Sequence, residues 1–126
     1  MNLEEQAKWH LLQIVSDYRG PENRIRRSVL LAKMNICLGW DGKTRRIISD
    51  RVMRDLLEEL RHELRGTYLC GSLRGGYFMA RDNQELDRYT QPDLNRANKL
   101  YQRVKTQRTN AKLITPELER KQMEMF

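Results

Sequence analysis

The run "ISDRVMRDLLEELRHELRG" after Ile47 constrains the fold more than any other part of the chain. Val52, Leu56, Leu60 and Leu64 recur every four residues, with Met53 and Leu57 beside them, which is the stripe of a helix that buries one face. Arg51, Arg54, Glu58, Arg61 and Arg65 fall on the other face. Ser49 suits the N-cap, Asp50 complements the positive end of the helix, and Gly66 suits its termination. Directly afterwards, "TYLCGSLRGGYFMA" has the composition of two short strands joined by a loop. Gly75 and Gly76 supply the positive φ values that a tight ribbon turn needs.

A helix with so committed an apolar face needs partners, and the preceding residues provide them. Leu3, Ala7, Leu11, Ile14 and Tyr18 predict a first helix over 3–18, ended by Gly20-Pro21. A second helix begins near Pro21 or a few residues later. Ile25, Val29, Ala32 and Ile36 mark one of its faces, Leu30, Met34 and Cys37 widen it, and Gly39 suits the position just past its end. "GWDGKTRR" then reads as a loop. Beyond the hairpin, Asp82 and Glu85 form a D-x-x-E start for a short helix to about Tyr89. Thr90-Gln91-Pro92-Asp93 starts another that runs to about Leu113. On it, Leu94, Ala97, Tyr101, Val104 and Ala111 repeat at alternating three and four residues, interrupted by Arg108. That stripe is expected to pack on the first helix, in the same subunit or in a homodimer mate. The expected fold class is mainly α with a small β-hairpin, organised as residues 1–80, a helical extension 81–113 and a tail 114–126. At 126 residues there is enough chain for one modest core.

The formal net charge is +7, and it is segregated. Arg24 to Arg54 holds nine basic residues and two acids; Asn95 to Lys112 holds six basic residues and no acid. Such a distribution favours a polyanion and makes binding salt-dependent, with nucleic acid as the first candidate. An anionic membrane surface fits less well, because the basic block lacks a matching apolar face. A basic surface that only solvates the protein is the plainer alternative. No apolar run approaches the roughly 18 residues of a membrane span, and the acids in "MNLEEQAKWH" are unlike a signal peptide. A cytoplasmic, soluble protein without membrane partners is expected. Cys37 and Cys70 lack metal-site spacing and are expected to be buried free thiols.

The order helix, helix, loop, helix with arginines at its entrance, ribbon is that of a winged helix-turn-helix. "ISDRVMRDLLEELR" followed by "RGGYFMA" resembles the winged modules of the biotin-repressor type and of many small bacteriophage DNA-binding proteins. The resemblance covers about residues 25 to 80. It implies a bacterial or phage protein that binds double-stranded DNA in replication or transcription regulation. Ser49, Arg51 and Arg54 then face the major groove, Arg45 and Arg46 sit just before them, and Arg74 lies on the wing. The stretch from Gly39 to Ile48 is longer than the turn of a compact motif. The alternative is a winged scaffold that binds another protein instead of DNA. Arg51 and Arg54 would then be solvated residues pairing with Asp55 and Glu58.

No catalytic set, metal site or cofactor motif is legible, so the chain is not expected to be an enzyme. Glu58, Glu59 and Glu63 cluster, but beside Arg61 and Arg65 they read as an ion-paired face. His10 and His62 are isolated. Tyr68, Tyr77 and Phe78 are expected in the core, since a lone ribbon must bury a face to be stable.

The chain ends "TPELERKQMEMF". Thr115-Pro116 suits a helix start, with Ile114, Leu118 and Met125 as its stripe. Alternatively, "QMEMF" resembles the bacterial sliding-clamp-binding pentapeptide, with methionine replacing both leucines. That resemblance implies Gln122 as the polar anchor, Met123 and Met125 as aliphatic plugs and Phe126 as the aromatic one. Methionine is flexible enough for a leucine pocket.

Overall fold

The structure is a computed structural model that describes residues 1–72 and 74–114. The described residues are mainly helical, with four α-helices and a two-stranded antiparallel hairpin. The first helix, α1 (Leu3–Val15), is capped by Asn2, whose Oδ1 accepts from the Glu5 amide at 2.8 Å. Ala7, Leu11 and Val15 are its buried apolar residues. It ends three residues earlier than the periodicity predicts, because the chain after it pairs with the hairpin. The Tyr18 carbonyl accepts from the Met79 amide at 2.8 Å, and the Gly20 amide donates to the Met79 carbonyl at 3.0 Å.

A 3-10 turn, Pro21–Asn23, leads to Ile25, which exchanges two 2.8 Å backbone hydrogen bonds with Tyr77. Extended backbone at Ile25 therefore supplies a third edge to the hairpin, where the sequence pattern assigns Ile25 to the second helix. That helix, α2, runs over Arg27–Cys37 and buries Leu30, Leu31, Met34 and Asn35. Val29 and Ile36 are exposed, as is Cys37, contrary to the expected face. Apolar residues surround α2 on every side, so its period does not select the face and tertiary packing does. Cys70 is buried and free, as expected, and burial pushes its thiol pKa up.

The third helix, α3 (Asp50–Arg61), buries Met53, Leu56, Leu57 and Leu60 in the core it shares with α1 and α2. Two residues of the predicted stripe are outside. Leu64 is 96% exposed because the helix stops at Arg61 and a 3-10 turn, Leu64–Gly66, redirects the chain. Val52 is 40% exposed in the first turn, beside the loop.

The hairpin pairs β1 (Leu69–Ser72) with β2 (Gly76–Met79) in the register Leu69 to Met79 and Ser72 to Gly76. Both faces are covered. Leu69, Tyr77 and Met79 meet the helical core, while Cys70, Phe78 and Ala80 meet Leu86 and Tyr89 at the start of α4 (Asn83–Leu113). The Phe78 and Tyr89 rings stand edge to face, 5.5 Å apart. Only one glycine of the turn pair takes a positive φ: Gly76, at 85°. A Cβ there would also lie 2.4 Å from the Ile25 carbonyl oxygen, so Gly76 lets the extra edge approach.

Asp82 and Glu85 cap α4 as expected: Asp82 Oδ1 accepts from the Glu85 amide at 2.8 Å, and Glu85 Oε1 from the Arg81 amide at 3.0 Å. The predicted break into two helices is absent. The helix is continuous through Pro92, which lacks an amide proton and so deprives the Arg88 carbonyl of its helical donor. The chain divides into two compact units, one ending at Tyr89 and one beginning at Thr90. The first extends past Ala80 because Leu86 and Tyr89 cover the hairpin. In the second, every described residue is exposed, including the stripe Leu94, Ala97, Tyr101 and Val104.

Candidate nucleic-acid interface

The entrance to α3 is held by a residue with no counterpart in the apolar pattern. Asn35, fully buried on α2, donates from Nδ2 to the Leu31 carbonyl (2.9 Å) and the Ile48 carbonyl (3.0 Å), and accepts at Oδ1 from the Ile48 amide (2.7 Å). A buried amide satisfied in this way fixes the backbone one residue before the Ser49 cap. The signal that could have found it is an asparagine in a helix interior among Leu31, Met34 and Ile36.

The ten residues from Gly39 to Ile48 are ordered by their own side chains. Asp41 Oδ1 accepts from the Lys43 and Thr44 amides and the Thr44 hydroxyl, all at 2.8 to 2.9 Å. These bonds, those from Thr44 and Lys43 first, hold the Asp41 carboxyl below its usual range. The Trp40 indole donates to the Thr44 carbonyl at 2.8 Å, and the Arg46 guanidinium lies 5.9 Å from the Trp40 ring centre. The length of this loop is thus used for an internally bonded turn that carries Lys43, Arg45 and Arg46.

Ser49 caps α3 as predicted, its Oγ accepting from the Val52 amide at 3.3 Å. Its hydroxyl is engaged in that role. Arg51 is exposed and has no ion pair or hydrogen bond among the described residues. Arg54 is different. Its Nε lies 3.1 Å from Asp50, whose second oxygen is 3.2 Å from Arg27 Nε, and its side chain is partly buried. The partner of Arg54 is therefore Asp50 rather than Asp55 or Glu58. Arg45 and Arg74 are exposed with no such partner among the described residues.

Two depressions lie beside α3, one at its start and one running from Arg54 to its C-terminal end. One, of about 400 Å³, brings Arg45, Arg46 and Ser49 together with the exposed apolar residues Leu3, Ile47 and Val52. The other, of about 260 Å³, lies between α3 and β1 and is lined by Arg54, Glu58, Arg61, Ser72 and Tyr77. Helical geometry places Arg51 on the ridge between Val52 and Arg54. Arg74 lines neither depression. Gln122, Met123, Met125 and Phe126 lie outside the described residues.

Arg24 was not among the predicted site residues, yet it belongs to the wing. Its guanidinium stacks 5.0 Å over the Phe78 ring, and a Cβ on Gly75 would come within 2.6 Å of its Nη1. The signal was "NRIRRS", in which Arg24 and Arg26 alternate with buried Ile25 as they would in a strand.

The far end of α3 is electrically occupied. Lys8, buried on α1, reaches Glu59 at 2.8 Å and Glu63 at 3.0 Å, and Glu58 pairs with Arg61 at 3.3 Å. Hydrogen bonds to Glu59 and Glu63 push the Lys8 ammonium well above its ordinary pKa. Those from Arg65 and Lys8 hold Glu63 below its own. The three clustered carboxylates are thus ion-paired. No protein-family model, curated protein or solved structure matches the chain.

Proposed function

We propose that the chain binds double-stranded DNA through a winged helix-turn-helix, with the N-terminal end of α3 in the major groove. The observation that carries this reading is the exposure of Arg45, Arg51 and Arg74 without a carboxylate partner among the described residues, while Glu58, Glu59 and Glu63 are already paired. Unpaired cations keep their field for a polyanion, and a helix presented by its first turn puts Arg51 at base edges. Arg51 then reads bases. Arg45 and Arg46 meet the backbone beside the helix end that Ser49 caps, where the helix dipole also favours phosphate. Arg74 meets phosphate or the minor groove from the wing. Arg54 reaches a base only by leaving Asp50.

Selection of binding sites from random duplexes tests this reading. The expected result is one enriched site whose affinity falls steeply with salt. A chain that retains no duplex at low salt contradicts it. The exposed trio Leu3, Ile47 and Val52 favours a second reading, a protein partner on this face, for which binding would lack that salt dependence.

The likeness of the last five residues to a clamp-binding peptide extends the proposal to DNA replication, with transcription regulation as the role without it. A peptide of residues 115–126 should bind the host clamp with micromolar affinity. Deleting Gln122 to Phe126 should abolish clamp binding and leave duplex binding intact; no binding at high micromolar peptide removes the replication role.

A further inference from the structure

We infer that the helix beyond Thr90 is a second phosphate-binding surface for duplex DNA, one that adds affinity without reading sequence. This rests on the DNA reading of the first unit. From Asn95 to Lys112 the helix carries six basic residues and no acid, and each of the six is exposed. Only Arg96 is engaged, with Asp93; Lys99, Arg103, Lys105, Arg108 and Lys112 have no carboxylate partner among the described residues.

Their arrangement is more specific than their number. At 3.6 residues per turn, Arg96, Lys99 and Arg103 fall within about 60° of one another on one side of the helix. Lys105, Arg108 and Lys112 fall within about 60° on the opposite side. The two triplets are offset along the axis by about nine residues, or roughly 13 Å. A helix lying obliquely in a groove meets one phosphate strand with one side of its first half and the other strand with the opposite side of its second half. The two faces lie about 10 to 12 Å apart across the helix, which matches a major groove about 12 Å wide. A second copy of the same helix is a poor occupant, since it would bring together two strongly basic segments with no acid between Asn95 and Lys112. The negative backbone is the complementary one.

The test uses the full chain with Lys99, Arg103, Lys105, Arg108 and Lys112 all changed to Gln, which keeps helix propensity. Duplex affinity should fall at least about tenfold at roughly 0.1 M salt, and the log-log salt slope should become shallower by about 0.9 for each phosphate no longer neutralised. The sequence preference found by site selection should stay the same. Arg103→Gln and Lys112→Gln, one from each side, should each flatten the slope by about 0.9, which keeps the test open if the fivefold variant misfolds. A fivefold variant with the affinity and slope of wild type overturns this surface while leaving α3 as the reader. A wild-type chain that binds no duplex overturns both.

Discussion

The two ends of α3 are built from the same residue types and do opposite things. At its C-terminal end, acids meet the cations of the frame: Glu59 and Glu63 close on buried Lys8, and Arg61 Nη2 donates to the Gly71 carbonyl at 2.7 Å, tying the helix to β1. At its N-terminal end, Ser49 and Asn35 fix the backbone while Arg51 is bare. Buried or bridging charge holds the fold. Exposed, unmatched charge on a fixed backbone is available to a partner. Arg54 lies between the two cases, close to the N-terminal end but bound to Asp50.

The sharpest way to break this comparison is to loosen the fixed backbone. Asn35→Leu leaves the Ile48 amide and carbonyl without their partner in a buried site, and we expect a loss of about 2 to 3 kcal/mol in denaturant unfolding. An unchanged unfolding midpoint would show that the α2 to α3 loop does not need Asn35. Next in size is Arg51→Ala, expected to weaken binding to the selected duplex by about 1 to 3 kcal/mol and relax preference at one position, with stability unchanged.

Lys8→Met removes the cation at the other end and should cost about 1 kcal/mol of stability, with duplex affinity unchanged for the folded protein. Its effect depends on pH. Because the folded Glu63 carboxyl lies below its unfolded value of about 4.3, its contribution is present above that pH and is lost as pH falls through the folded value. The stability difference between wild type and Lys8→Met should therefore narrow on acidification; a constant difference would mean that the pair carries no linked proton. Smallest of all, Arg74→Ala should weaken binding alike on every sequence and flatten the salt slope by about one. A change in preference instead would place the wing in contact with bases.

Much of this frame is legible in the sequence because its signals are local. The Ser49 cap, the Asp82 to Glu85 start of α4 and the strand-and-glycine composition of the hairpin each depend on neighbouring residues. What escaped depends on distant partners. Ile25 pairs with Tyr77 across some fifty residues of chain, so a helical reading of its spacing had nothing to contradict it. Val52 and Leu64 obey the helical period, yet one lies beside an exposed loop and the other follows the end of the helix. Asn35 looks like a flaw in an apolar stripe until the Ile48 backbone is placed opposite it. Arg54 and Arg51 each have an acid four residues away, Asp50 and Asp55; the structure separates them because Asp50 pairs with Arg54, and with Arg27, while Arg51 is unpaired among the described residues.

The proposed division of α3 into a holding end and a DNA-reading end is tested most directly by measuring, on one selected duplex, the affinities of wild type, Arg51→Ala and Lys8→Met at equal folded fraction. The account predicts that Arg51→Ala binds about five- to 150-fold more weakly while Lys8→Met binds like wild type. Equal affinities for wild type and Arg51→Ala would contradict it.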